Sequence, residues 1–181
     1  MITAPPEEQK ICVACGMCCD GTLFLHAHLD AGERGNLPEK IEENSYSKDG
    51  KDYFSLPCLY FDVKCTIYDQ KKANVCSGYR CQLLKDFAEG RLTPDDALAV
   101  VIDAVTMRDQ ILVQFKAFSG SSHKIYFKKL LREMGKIQES FEEGATVDPA
   151  FDMLLARCNI FEALLIRHFS PAREFDKMIM K

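Results

Sequence analysis

The chain has 181 residues, 47% apolar and 28% charged, the balance of a folded domain rather than of a disordered chain. A net charge of −4 with both signs interspersed excludes the basic stripe of a nucleic-acid surface, so no nucleic-acid partner is expected. No apolar run reaches the roughly 18 residues of a membrane span, and Met1-Ile-Thr-Ala-Pro-Pro-Glu-Glu lacks the features of a secretory leader, which points to the cytoplasm.

In chain order, residues 1–10 read as a loose polar arm. Thr22 to Leu29 alternates like a strand, with Leu23, Leu25, Ala27 and Leu29 on one face and Phe24, His26 and His28 on the other. Asp30-Ala-Gly-Glu33 has the form of a helix start, Asp30 as N-cap and Glu33 reaching back. Residues 42–52 are polar and turn-rich, a hairpin or surface loop.

Beyond Cys81 the pattern becomes helical. A short helix through Leu83, Leu84 and Phe87 should stop at Gly90. Thr93-Pro94-Asp95-Asp96 opens a long helix that carries Leu98, Val101, Ile102 and Val105 on one side and extends toward Phe118. Ser121 or Ser122 is expected to cap another, with Phe127, Leu130, Leu131 and Met134 as its stripe. Asp148-Pro149 opens a further helix whose stripe is Phe151, Leu154, Leu155, Cys158, Phe161 and Leu165, and Ser170-Pro171 a last short one. The expected fold is α+β, mainly α. Residues 11–85 form an irregular cysteine-rich metal-binding module with short strands, packed on an all-helical region at 86–181.

Eight of the nine cysteines lie before residue 82: Cys12, Cys15, Cys18, Cys19, Cys58, Cys65, Cys76 and Cys81. Three further cysteines at fixed offsets after Cys12 have a chance probability of about 1 in 10⁴, so the cluster is a built feature. In a reducing compartment clustered thiols bind metal or do redox chemistry rather than form disulfides. Cys-x2-Cys spacing recurs in zinc sites and iron–sulfur loops alike. Adjacent side chains diverge, so Cys18 and Cys19 either serve different metals or include one free thiol. Eight thiols fill two four-cysteine sites, or a polynuclear cluster with fewer terminal ligands. The acidic excess sits with them: residues 1–90 carry 10 basic and 14 acidic side chains, residues 91–181 carry 13 of each. A bound cation would offset that charge.

Cys12-Val-Ala-Cys15-Gly-Met-Cys18-Cys19, with Leu56-Pro57-Cys58, Cys65-Thr-Ile67-Tyr68 and Cys76-Ser-Gly-Tyr79-Arg-Cys81, resembles the CxxCxxCC cysteine-cluster family (YkgJ type). Its members are described as zinc- or iron-chelating. The resemblance spans about residues 12–85 and all eight cysteines, and implies that all eight are metal ligands. Lys71-Lys72 stands where the family carries Arg-Pro, and Ser77 where an Arg often follows the cysteine. A related cluster in flagellin lysine methylases, which look like iron–sulfur enzymes, tilts the cofactor toward iron–sulfur over zinc without transferring the activity.

Other candidates read as structural. His26 and His28 are expected as a solvent-facing pair on an edge strand, Cys158 as a core residue, and Asp62 and Asp69 as surface groups. His168 is read as a cation favouring its helix C-terminus, and Tyr68 and Tyr79 as shields of the metal site. No phosphate loop, dinucleotide fingerprint or hydrolytic triad occurs, and catalytic residues are not expected. The leading functional class is a cluster protein in redox, electron transfer or metal handling. The alternatives are a structural zinc module that presents its helices to a protein partner, and an iron–sulfur methyltransferase-like enzyme.

Overall fold

A computed structural model describes residues 5–141 and 148–170. The chain is mainly helical with a small sheet, the α+β class expected from the sequence. Its elements are α1 (Pro6–Cys15), β1 (His26–Leu29), α2 (Glu39–Glu43), β2 (Ser45–Lys48), β3 (Lys51–Ser55), β4 (Phe61–Asp62) and β5 (Lys64–Cys65). They continue with α3 (Asn74–Gly78), α4 (Gln82–Ala88), α5 (Pro94–Ser119), α6 (Phe127–Glu139) and α7 (Pro149–His168). Strands β1, β3 and β2 form an antiparallel sheet in that order; β4 and β5 form a separate two-residue ladder. Among the described residues no helix is long and apolar enough to cross a membrane. Residues 171–181, and with them the helix expected to follow Ser170, lie outside the described residues.

The helical region follows its sequence signals closely. Thr93 and Asp96 complete a reciprocal capping box on α5: the Asp96 N–H donates to Thr93 Oγ1 at 3.1 Å and the Thr93 N–H to the Asp96 carboxylate at 3.3 Å. Asp148 caps α7 by accepting the Ala150 N–H at 2.8 Å. Phe151, Leu154, Cys158, Phe161 and Leu165 of α7 are buried as expected, while Leu155 is only partly covered. Phe161 meets Phe127 of α6 edge to face at 4.7 Å.

One helical expectation holds only in part and two fail. On α5, Val101 is buried and Leu98 and Val105 pack partly buried against the core as expected, but Ile102 is 61% exposed and the buried stripe runs through Ala97, Ala104, Ile111 and Phe115. The helix packs against both α1 and α7, and its buried side takes in Ala97 and Ala104 in place of Ile102. Neither Ser121 nor Ser122 caps α6. The helix starts at Phe127 after Tyr126 without a side-chain cap, and Ser121 Oγ instead accepts the His123 N–H at 3.3 Å in a local turn. His168, read as a helix-terminal cation, is pushed toward its neutral form by burial and by Arg167.

The first half departs further. The segment expected as a loose arm is helical from Pro6, with proline at its first position and Glu7 and Glu8 at the positive dipole end. Glu8 is buried and pairs with Arg80. The strand expected from Thr22 begins only at His26, because the Leu23 N–H turns back to the Met17 carbonyl at 3.0 Å. Asp30-Ala-Gly-Glu33 opens no helix. Glu33 does reach back to the Asp30 N–H at 2.7 Å, but its other oxygen accepts the Asn74 N–H at 2.8 Å, and Asp30 accepts from the Asn74 amide. The capping signature therefore serves the start of α3, 41 residues onward. Residues 42–52 include the β2–β3 hairpin, as expected.

Two apolar cores result. The larger joins α4 to α7 and takes in Ile11, Met17 and Cys81 from the cysteine-bearing segments. The smaller lies under the sheet and consists of Leu29, Ile41, Phe54, Ile67 and Ala73.

Candidate metal centre

The last turn of α1 carries Cys12 and Cys15, three residues apart and so neighbours on the helix surface. Gly16 ends the helix at φ +62°, and its N–H donates to the Cys12 carbonyl at 3.1 Å. A Cβ there would lie 2.5 Å from the Phe61 ring, so both backbone conformation and space require glycine. The Cys19 and Asp20 N–H groups both reach back to the Gly16 carbonyl, at 2.8 and 3.1 Å, which winds Cys18 and Cys19 into a tight turn. Met17 anchors that turn by lying fully buried in the helical core.

The remaining four cysteines arrive on separate pieces of chain. The Cys58 N–H donates to the Cys19 carbonyl at 2.7 Å and ties the later segment to the turn. Cys65 pairs with Phe61 across the β4–β5 ladder, whose tip is Val63 at φ +59°. Cys76 lies in α3, held by the Asp30 and Glu33 contacts to Asn74. Cys81 is the N-cap residue of α4.

All eight cysteines named from the sequence converge on two adjoining cavities. The larger, about 240 Å³, is lined by Cys12, Cys18, Cys19, Cys58, Cys65 and Cys76. The smaller, about 40 Å³, is lined by Cys12, Cys15, Cys18, Cys19 and Cys81. Phe24, Phe54, Leu56, Phe61, Ile67 and Val75 supply apolar wall to the larger one, and Tyr68 and Tyr79 also border it. Tyr79 is held in place by donating its hydroxyl to the Phe169 carbonyl at the end of α7, at 2.9 Å.

Burial sets the electrostatics. It raises the pKa of Cys15 from an ordinary 9.0 to about 12 and that of Cys76 to about 12; Cys12, Cys18, Cys19, Cys58 and Cys81 are pushed up by the same cause. Neighbouring thiols add to the shift at Cys12, Cys15, Cys18, Cys19, Cys58 and Cys76. At Cys81 the backbone N–H groups of Leu84 and Leu83, at the start of α4, oppose it. Lys72 is the cation in the wall: it eases charge on Cys12 and Cys76, lies 4.2 Å over the Tyr68 ring and donates to the Tyr68 carbonyl.

Three charged groups that the spacing does not reveal support the site. Lys72 is one. Arg108 of α5 pairs with Asp20, the residue after Cys19, with side chains 14% and 15% exposed; Asp20 also accepts the Thr22 N–H at 2.8 Å. Arg80, between Tyr79 and Cys81, pairs with Glu8 on α1. The last two pairs join residues 88 and 72 apart, and no local pattern could announce them.

Cys158 stands apart, fully buried in the helical core. His26 and His28 are exposed and pack edge-on against Tyr53 at 5.1 and 5.4 Å. Asp62 and Asp69 are exposed. All nine cysteines are free thiols. The donor set is chemically right for zinc or iron–sulfur, since thiolates select soft and borderline metals. As the side chains stand, no group of three or more His, Cys, Asp or Glu among the described residues is arranged to hold an ion. The thiols line cavity walls. Comparison of the chain with protein-family models, curated proteins and solved structures gave no match.

Proposed function

We propose that this chain is a metal-binding protein in which Cys12, Cys15, Cys18, Cys19, Cys58, Cys65, Cys76 and Cys81 hold iron–sulfur or zinc, with a role in redox, electron transfer or metal handling. The observation that carries this reading is the meeting of eight thiols from separate segments on two adjoining cavities with apolar and aromatic walls. Burial pushes the Cys15 and Cys18 thiols up, which disfavours the thiolate that a nucleophile needs. A bound cation would favour the thiolates at Cys12, Cys15, Cys18, Cys19, Cys58, Cys65, Cys76 and Cys81, so loading would release protons. The larger cavity favours iron–sulfur, since a lone zinc needs only the point where four ligands meet at about 2.3 Å. When bound, such a cluster supplies one-electron chemistry; Lys72, Tyr68 and the apolar wall would set its charge balance and water access.

A second reading, a structural zinc module that docks a protein partner, draws on the exposed Ile102 and Val113 of α5 and Met153 and Ile160 of α7.

Elemental analysis and sulfide assay of protein purified without air test the proposal. Iron with matching sulfide is the expected result; zinc alone would leave metal handling or the structural zinc module; protein without metal would overturn both readings.

A further inference from the structure

We infer that the eight thiols divide into two separate quartets, Cys12–Cys15–Cys18–Cys81 and Cys19–Cys58–Cys65–Cys76, each taking its own thiophilic metal centre, with the Cys18–Cys19 peptide as the divide. The inference rests on the metal-binding reading above and deepens it.

The cavities separate most of the thiols directly. Cys58, Cys65 and Cys76 line only the larger, and Cys15 and Cys81 only the smaller. Cys12, Cys18 and Cys19 border both and must be assigned on other grounds. Cys12 shares the last turn of α1 with Cys15, a spacing that puts both sulfurs on one face. Consecutive side chains diverge, so Cys18 and Cys19 belong to opposite sides. Cys19 is the member bound through its backbone to Cys58, the first cysteine of the later set.

The first quartet is then a run of the form Cys-x2-Cys-x2-Cys plus one remote cysteine, with the next cysteine of the run sent to the other centre. Two-cluster ferredoxins divide their ligands in the same way, the last cysteine of each run serving the other cluster. Here the last cysteine follows immediately instead of after three residues. The tight turn at Gly16, closed by the Cys19 and Asp20 N–H groups on the Gly16 carbonyl, brings both Cys18 and Cys19 to the border between the two cavities.

The wild-type protein, loaded anaerobically, should hold two metal centres. Slow removal with a chelator, quenched by an alkylating reagent at half the starting metal content and mapped by peptide mass spectrometry, tests the division without any substitution. One quartet should be modified as a set while the other stays protected. Alkylation spread evenly over all eight cysteines, or a modified set that mixes Cys15 with Cys58, would overturn the division. Cys18→Ser and Cys19→Ser give a second reading: each should lose half the metal and retain the other half. Total loss in both would mean a single shared centre and would sink the inference while leaving the metal-binding reading intact. Wild-type protein without metal would instead remove that reading, and the division with it.

Discussion

The block of α5, α6 and α7 and the segments that carry the eight thiols are held together by different means. The helices share the larger apolar core, with Phe127, Phe151, Phe161, Ile111 and Leu130 buried almost completely. The sheet side has five buried residues of its own, and its loops are tied instead by single hydrogen bonds and ion pairs: Cys58 to Cys19, Asn74 to Glu33, Asp20 to Arg108. Burial of apolar area is cumulative and tolerant of detail, whereas the cysteine-bearing segments add to their few polar ties only a handful of apolar anchors, Ile11 and Met17 in the larger core among them. On the metal-binding reading proposed above, the helices would fold on their own apolar core and the cysteine-bearing loops would depend on what the thiols bind.

Metal removal should break the comparison most strongly. A thiolate zinc site contributes about 10–16 kcal/mol apparent, more than the roughly 5–15 kcal/mol that stabilises a whole domain. Chelation should abolish hydrogen-exchange protection in β1, β3, α3 and the Cys12–Cys19 turn while α5 and α7 stay protected. Equal loss in both regions would show that they unfold as one unit.

Arg108→Met should follow in size, because it leaves the buried Asp20 carboxylate without its cation at the seam between the regions. Losing one member of a buried pair costs about 3–5 kcal/mol, less here because both side chains keep some solvent contact. Urea unfolding should show a drop of about 2–3 kcal/mol on that basis, largely recovered in the Arg108→Met, Asp20→Asn double variant.

Cys158→Ser acts only inside the helical core. It places a hydroxyl where burial already disfavours charge and raises the thiol pKa to about 11. An unpartnered buried hydroxyl costs about 1–3 kcal/mol. The melting temperature should fall while metal content stays at the wild-type value; loss of metal would show that the two regions are coupled more tightly than their ties suggest.

The smallest expected effect is a pH dependence at the end of α7. Burial holds the His168 imidazole below its ordinary 6.5. Below pH 6.5 the unfolded chain therefore binds a proton that the folded one resists, and stability falls as pH drops through the lowered value. Comparing His168→Gln with wild type by thermal melts from pH 7 to pH 5 isolates this contribution, which should vanish in the variant.

The sequence determined by itself what depends on near neighbours along the chain. The Thr93 box, the Asp148-Pro149 start, the α7 stripe and the β2–β3 hairpin are all written within a few residues, and periodicity reads them directly. The cysteine spacing likewise named the eight thiols that line the cavities. Tertiary structure decided the rest, because the deciding partner lies far along the chain. The arm before Cys12 becomes a helix because Glu8 finds Arg80 and Ile11 finds the core. Glu33 caps α3 instead of a helix of its own, and α5 turns Ile102 outward because two neighbouring helices claim its other faces. How the Cys12–Cys19 turn meets the later cysteines is settled the same way, by Gly16 turning against Phe61 and by the Cys58 N–H meeting the Cys19 carbonyl. A contact between residues 39 positions apart leaves no periodic trace, so only the folded chain displays it.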